Sequence, residues 1–143
     1  MKKGILIIVG AVFAIVLIRM FIIIAVLLAT HDGELHKQGI FAGHKGNWKT
    51  AIEHFDKVIE MRPHHEKAYA SRAYAKTKLG DYQGAIADCN TAIDKYPFDG
   101  RTYAVLGIAE YQSGQEKKGC QDMSTAFDLG FEQAKEYLNQ YCK

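Results

Sequence analysis

The chain has 143 residues, room for one domain and little more, and 48% of them are hydrophobic. Its 18 Lys and Arg against 16 Asp and Glu give a formal charge of +2, far from the basic balance of a nucleic-acid-binding chain. Three cysteines, none in a C-x-x-C pair, argue against a dithiol redox centre.

The apolar residues are unevenly spread. Residues 4–29, GILIIVGAVFAIVLIRMFIIIAVLLA, contain one charge, Arg19, and every acidic residue follows residue 30. About 20 apolar residues suffice to cross a bilayer as a helix. A central arginine costs roughly 2.5–3.5 kcal/mol to insert, and each Leu, Ile, Phe or Val returns about 0.3–0.6 kcal/mol. Eighteen such residues lie between Ile5 and Leu28, so insertion is favoured. Arg19 would either snorkel to the interface or face a partner helix. The rival is a cleaved signal peptide, with Lys2 and Lys3 as its basic start. Cleavage after Ala29 would place Leu27 where a small residue is wanted, so an uncleaved anchor over residues 1–30 is the favoured reading. Lys2 and Lys3 would hold the N-terminus in the cytoplasm and leave the remainder exported.

After residue 30 the chain carries 15 basic and 16 acidic residues and repeats itself. Stepping by 34 aligns Gly46, Gly80 and Gly114. The same step aligns Ala51, Ala85 and Gly119, then Gly39, Ala73 and Gly107, and places Trp48 over Tyr82. The two prolines, Pro63 and Pro97, occupy equivalent sites, with Phe131 third. A constant period of this size indicates a stacked array. Each glycine would close a turn between two helices, and each proline would stop the second helix. Small residues let the two helices of a unit approach closely, and the aromatic fills the space beside them.

These residues resemble the tetratricopeptide repeat (TPR) family, over about residues 32–131. YASRAYAKTKLGDYQGAIADCNTAIDKYP is the clearest unit; the third drifts, with Glu116 for the aromatic, Gly119 for the alanine and Phe131 for the proline. The expected fold is an all-α solenoid of three helix pairs preceded by one transmembrane helix, with a C-terminal cap. The units are expected at about 32–65, 66–99 and 100–130, with helices at 32–45, 48–61, 66–79, 82–95, 100–113 and 116–129. A capping helix at about 131–142 completes the 32–143 domain. Its apolar face would carry Phe131, Ala134, Leu138 and Tyr141, while Glu132, Gln133, Lys135, Glu136, Asn139 and Gln140 face water. The tight period and the C-terminal cysteines look like those of bacterial members.

The resemblance implies a concave groove lined by the first helix of each pair. Its positions map to Gly33, His36, Lys37, Ile40, Gly43 and His44 in the first unit. In the second they are Lys67, Ala70, Ser71, Tyr74, Thr77 and Lys78. In the third they are Arg101, Ala104, Val105, Ile108, Tyr111 and Gln112. Four of these eighteen are basic and none is acidic, so the expected partner is a protein segment, acidic or ending in a free carboxylate. Lysines merely solvated on exposed helices are the plainer reading. The Lys/Asn set with which chaperone-tail TPR domains clamp a terminal carboxylate is missing: the corresponding positions hold Lys37, Ile40, Tyr74 and Ala104.

Cys89 replaces Phe55 and Met123 of the other units and is expected to be a small buried hydrophobe. Cys120 and Cys142 would meet if the cap folds back near Gly130, either as a disulfide or as two thiols. The six histidines lie between residues 31 and 65 without metal-ligand spacing, and His64-His65 reads as a solvated loop. No phosphate loop, dinucleotide fingerprint or nucleophile elbow is present. The sequence therefore points to a non-enzymatic, membrane-anchored protein-binding module, with no cofactor, metal, nucleic acid or small-molecule substrate. Alternatives are a structural subunit of a membrane complex, with Arg19 facing a partner span, and a secreted TPR domain.

Overall fold

A computed structural model describes the backbone of residues 2–142 and the side chains of residues 12–27 and 31–142. The Lys2, Lys3 and Ala29 side chains, on which the topology and cleavage readings depend, lie outside those described. Seven helices and no strand occur among those described. They are α1 (Lys2–His44), α2 (Trp48–Met61), α3 (Glu66–Leu79), α4 (Tyr82–Lys95), α5 (Gly100–Gln112), α6 (Glu116–Asp128) and α7 (Ala134–Tyr141).

The anchor and the first repeat helix, expected as separate elements, form one helix of 43 residues. No proline interrupts residues 27–39, and Gly33 and Gly39 each cost a helix only about 1 kcal/mol. Side chains 12–27 are exposed, and burial begins at Asp32.

Beyond α1 the chain folds as helix hairpins. Gly46, Gly80, Gly114 and Gly130 take φ of 77°, 81°, 91° and 88°, a left-handed geometry that glycine adopts without a Cβ clash. The first three close the turns within the pairs, and Gly130 turns the chain into α7. Asp81 starts α4 by accepting from the Gly84 amide at 3.0 Å. Asp99 starts α5 by accepting from the Arg101 amide at 3.2 Å and the Thr102 hydroxyl at 2.6 Å.

Small residues set the spacing. Gly107 on α5 and Gly119 on α6 are so close that a Cβ on Gly107 would lie 2.6 Å from the Gly119 carbonyl oxygen. In the first pair, Phe55 occupies the space a Cβ on Gly39 would need, 2.6 Å away, and is itself buried beside Ala42, Ala51 and Ala75. The middle of the array buries Ala73, Ala85, Cys89, Val105, Leu106 and Ala109 together. Each helix packs on its chain neighbours, and α1, α3 and α5 also touch in succession. The first helices of the pairs therefore form the inner wall.

Charged side chains tie the pairs together. Arg72 on α3 donates to Asp88 on α4 at 2.8 and 2.6 Å and to Asp56 on α2 at 2.6 Å. Lys76 adds a 2.8 Å contact to Asp88. These pairs, the Asp88 bond foremost, hold the guanidinium proton more tightly than usual, against the opposing effect of burial.

The C-terminus is covered by α7. Ala134 is buried against Ala104 and Ala126, with Phe131 and Tyr137 packed around them. A disulfide joins Cys120 to Cys142 with the Cα atoms 5.7 Å apart. The six polar cap residues expected in water are all exposed. Tyr137 packs inside although the apolar spacing had omitted it.

Candidate functional site

The inner wall encloses two hollows of about 660 and 690 Å³. They share a wall of Ile40, Ala70, Ser71, Arg101 and Thr102. The first is polar, with His36, Glu66, Lys67, Tyr96 and Asp99 around it. The second is more apolar and includes Tyr74, Val105, Ile108, Phe131 and Tyr137. One continuous groove thus changes from charged to apolar along its length.

The structure brings Lys67, Arg101, Ile40, Tyr74 and Ile108 to this groove. Ala104 and Val105 lie at its floor, 2% and 7% exposed, because the third pair packs against α7 and α4. Lys37 and Lys78 are exposed outside it; the Lys78 ammonium sits 5.1 Å from the centre of the Tyr74 ring. Tyr111 is drawn away from the groove by the cap, its ring centre 4.9 Å from that of Tyr141. Glu66 and Asp99 enter the lining although no acidic residue was expected there. Both Asp99 oxygens are occupied by the start of α5, which leaves Glu66 beside Lys67 and Arg101 as the charges of that lining.

His65 departs from the solvated-loop expectation. Its ring stacks on His36 with centres 5.3 Å apart, and its Nδ1 accepts from the Ala68 amide at 3.2 Å. Burial first, then the charges of His65 and Lys67, lower the His36 pKa against the pull of Asp32. The wall of the polar hollow is therefore held neutral at His36.

At the third pair, buried Glu110 meets the Lys118 ammonium at 2.5 Å. Burial, then the hydrogen bond to Glu110 and its charge, push the neighbouring Asp122 carboxyl up to about 7. Burial also raises the Cys89 thiol well above its usual range, leaving it unreactive. Among the described residues no cluster of histidine, cysteine and carboxylates could hold a metal ion.

The architecture is that of a helical-repeat protein whose first helices line a hollow. Residues 66–97 match the tetratricopeptide repeat family. Tetratricopeptide repeat protein 36 of Danio rerio is 31% identical over 115 residues, covering 76% of this chain and 62% of that protein. Small glutamine-rich tetratricopeptide repeat-containing protein 2 of Saccharomyces cerevisiae is 28% identical over 107 residues, covering 75% and 31%. The chain thus spans less than two thirds of the length of either relative. Among solved structures, the second TPR domain of human RPAP3 in complex with HSP70 peptide SGPTIEEVD is 25% identical, with a TM-score of 0.74 over 81% of this chain and 98% of that one. The TPR2B domain of yeast Sti1 in its pHsp70 complex is 27% identical, with a TM-score of 0.70 over 77% and 92%. The chain is a tetratricopeptide repeat protein.

Proposed function

We propose that this chain holds an extended segment of a partner protein in its concave groove, beside a membrane that residues 4–29 cross. The observation that carries the reading is the graded groove. Lys67 at the polar end and Arg101 on the shared wall suit acidic side chains or a terminal carboxylate, and Tyr74 and Ile108 offer apolar contact at the other end, with Ile40 between them. Two similar domains are described with Hsp70 ligands, one of them the acidic-ended peptide SGPTIEEVD. The Lys/Asn clamp is absent, so the partner here is a different segment. The role is that of a scaffold or of an assembly and quality-control factor, without catalysis.

The membrane reading rests on α1, which is long and apolar enough to cross a bilayer. A disulfide persists in oxidising compartments, so the Cys120–Cys142 bond favours export of the repeats. A second reading, a structural subunit of a membrane complex, is favoured by Arg19 alone, a charge within the apolar segment.

The test is crosslinking in intact membranes followed by capture, comparing wild type with the Lys67→Glu, Arg101→Glu double variant. Partner recovery is expected to fall at least about tenfold, the equivalent of about 1.4 kcal/mol, while circular dichroism is unchanged. Unchanged recovery would overturn groove binding. Loss on Arg19→Leu alone would favour the structural subunit.

A further inference from the structure

The geometry points to a second contact with the membrane: the edge of the array bearing Tyr96 and Phe98 rests in the lipid headgroup layer of the bilayer that α1 crosses. This rests on the spanning reading of α1, and adds that one face of the repeat domain touches lipid.

Height above the bilayer can be followed contact by contact. α1 leaves its apolar segment at about residue 29 and continues unbroken. Asp32, buried, lies three residues on, about 5 Å along the helix axis at 1.5 Å per residue. α2 runs back beside α1, and Arg62 just past its end donates to Asp32 at 2.6 Å. The loop after α2 is therefore held near residue 32. The Lys95 ammonium lies 3.4 Å from His64 Nδ1 in that loop, which brings the end of α4 to the same level. Tyr96 and Phe98 follow directly. The polar layer on each side of the hydrocarbon is roughly 5–7 Å deep, so these loops fall within it.

The side chains fit that layer. Phe98 is 70% exposed, and Tyr96, which also borders the polar hollow, is 53% exposed. Their rings meet edge to face with centres 6.3 Å apart. Neither contributes to the core; Tyr96 carries the amphipathic kind of ring that concentrates at the headgroup level, and Phe98 offers an apolar ring to the boundary between headgroups and acyl chains. Charge does not explain their position. Arg62, Lys67, Lys95 and Arg101 are offset by Asp32, Glu66, Asp94 and Asp99, so the edge is close to neutral, and zwitterionic lipid should serve as well as anionic lipid. Leu129, 36% exposed and close to Gly100, lies on the same edge, and Ile40 and Tyr74 face the groove. Phe41 and Leu79 lie toward the opposite edge, and Phe41 is covered by the Lys45 ammonium at 4.3 Å.

The single tryptophan supplies the test. Trp48 starts α2 at the far edge, beside Gly43, about 20 Å above the apolar segment. The full chain is reconstituted in phosphatidylcholine vesicles with brominated acyl chains. Wild type is compared with Trp48→Phe carrying either Phe98→Trp or Val16→Trp, with folding checked by circular dichroism. The indole at position 16 should lose most of its emission and that at 98 should lose a clear fraction with a blue shift, while Trp48 keeps its emission. Quenching at 16 with position 98 as insensitive as Trp48 would overturn the lipid contact and leave the span standing. Absence of quenching at 16 would remove the span and this contact together.

Discussion

Replacing Gly119 with alanine should destabilise the array even though alanine is the better helix former. The propensity gain is about 1 kcal/mol. Against it, the new Cβ would lie 2.5 Å from the Gly107 carbonyl oxygen and 2.7 Å from the Tyr111 amide nitrogen. Both are backbone atoms of α5, so no side chain can rotate away and the two helices must separate. Overpacking of this kind costs about 1–3 kcal/mol, and a gap opened along the interface forfeits dispersion as well. A net loss of about 2 kcal/mol corresponds to a fall of about 10 °C in the midpoint for a domain of this size. Thermal unfolding followed by far-ultraviolet circular dichroism reads it. Gly33→Ala is the matched control: nothing lies within 4 Å of its Cβ position, so the midpoint should rise. If Gly119→Ala also raised the midpoint, the backbone contact between α5 and α6 would be refuted.

Arg72→Leu should cost about 3 kcal/mol in urea denaturation, because it leaves Asp88, its side chain 7% exposed, with only Lys76 as partner; a cost below about 1 kcal/mol would show the clasp to be incidental. Asp122 holds its proton to about pH 7 in the fold, against 3.8 for the ordinary group. The folded state therefore binds more protons between those limits, and this contribution is greatest in acid and is lost as pH rises through them. Asp122→Asn should remove that decline, and parallel pH profiles of urea midpoints for variant and wild type would contradict it. Reducing the Cys120–Cys142 bond opens a loop of 22-residue separation and should cost about 3 kcal/mol. Amide exchange should rise in residues 134–141 but not in α2; equal acceleration in both would show that the bond does more than fasten the cap.

The sequence specified the hairpins closely because their punctuation is local. The expected helices at 48–61, 66–79 and 82–95 coincide with α2, α3 and α4, each bounded by a glycine turn or a proline stop. The same locality failed where the apolar segment meets the array. Thr30 and His31 contain no stop signal, and only the structure shows α1 passing through them. The groove was legible in part. A helix face can be read from period, which brought Lys67, Arg101, Tyr74 and Ile108 to the hollow. What covers that face cannot be read so, and Tyr111 was lost to Tyr141 of the cap. Arg72, Asp56 and Asp88 carried no signal as a group, since their spacings of 16 residues acquire meaning only when three helices are stacked. His65 carried no such signal, because histidine is not among the residues that ordinarily mark a helix start.

A rod with no joint between the apolar segment and the array leaves the hollow no swivel of its own. Adding one residue near position 30 would turn its opening about 100° around the rod and raise it about 1.5 Å. Compass bearing is therefore written in residue count, and a deletion too small to disturb any hairpin could still point the opening away from whatever it serves.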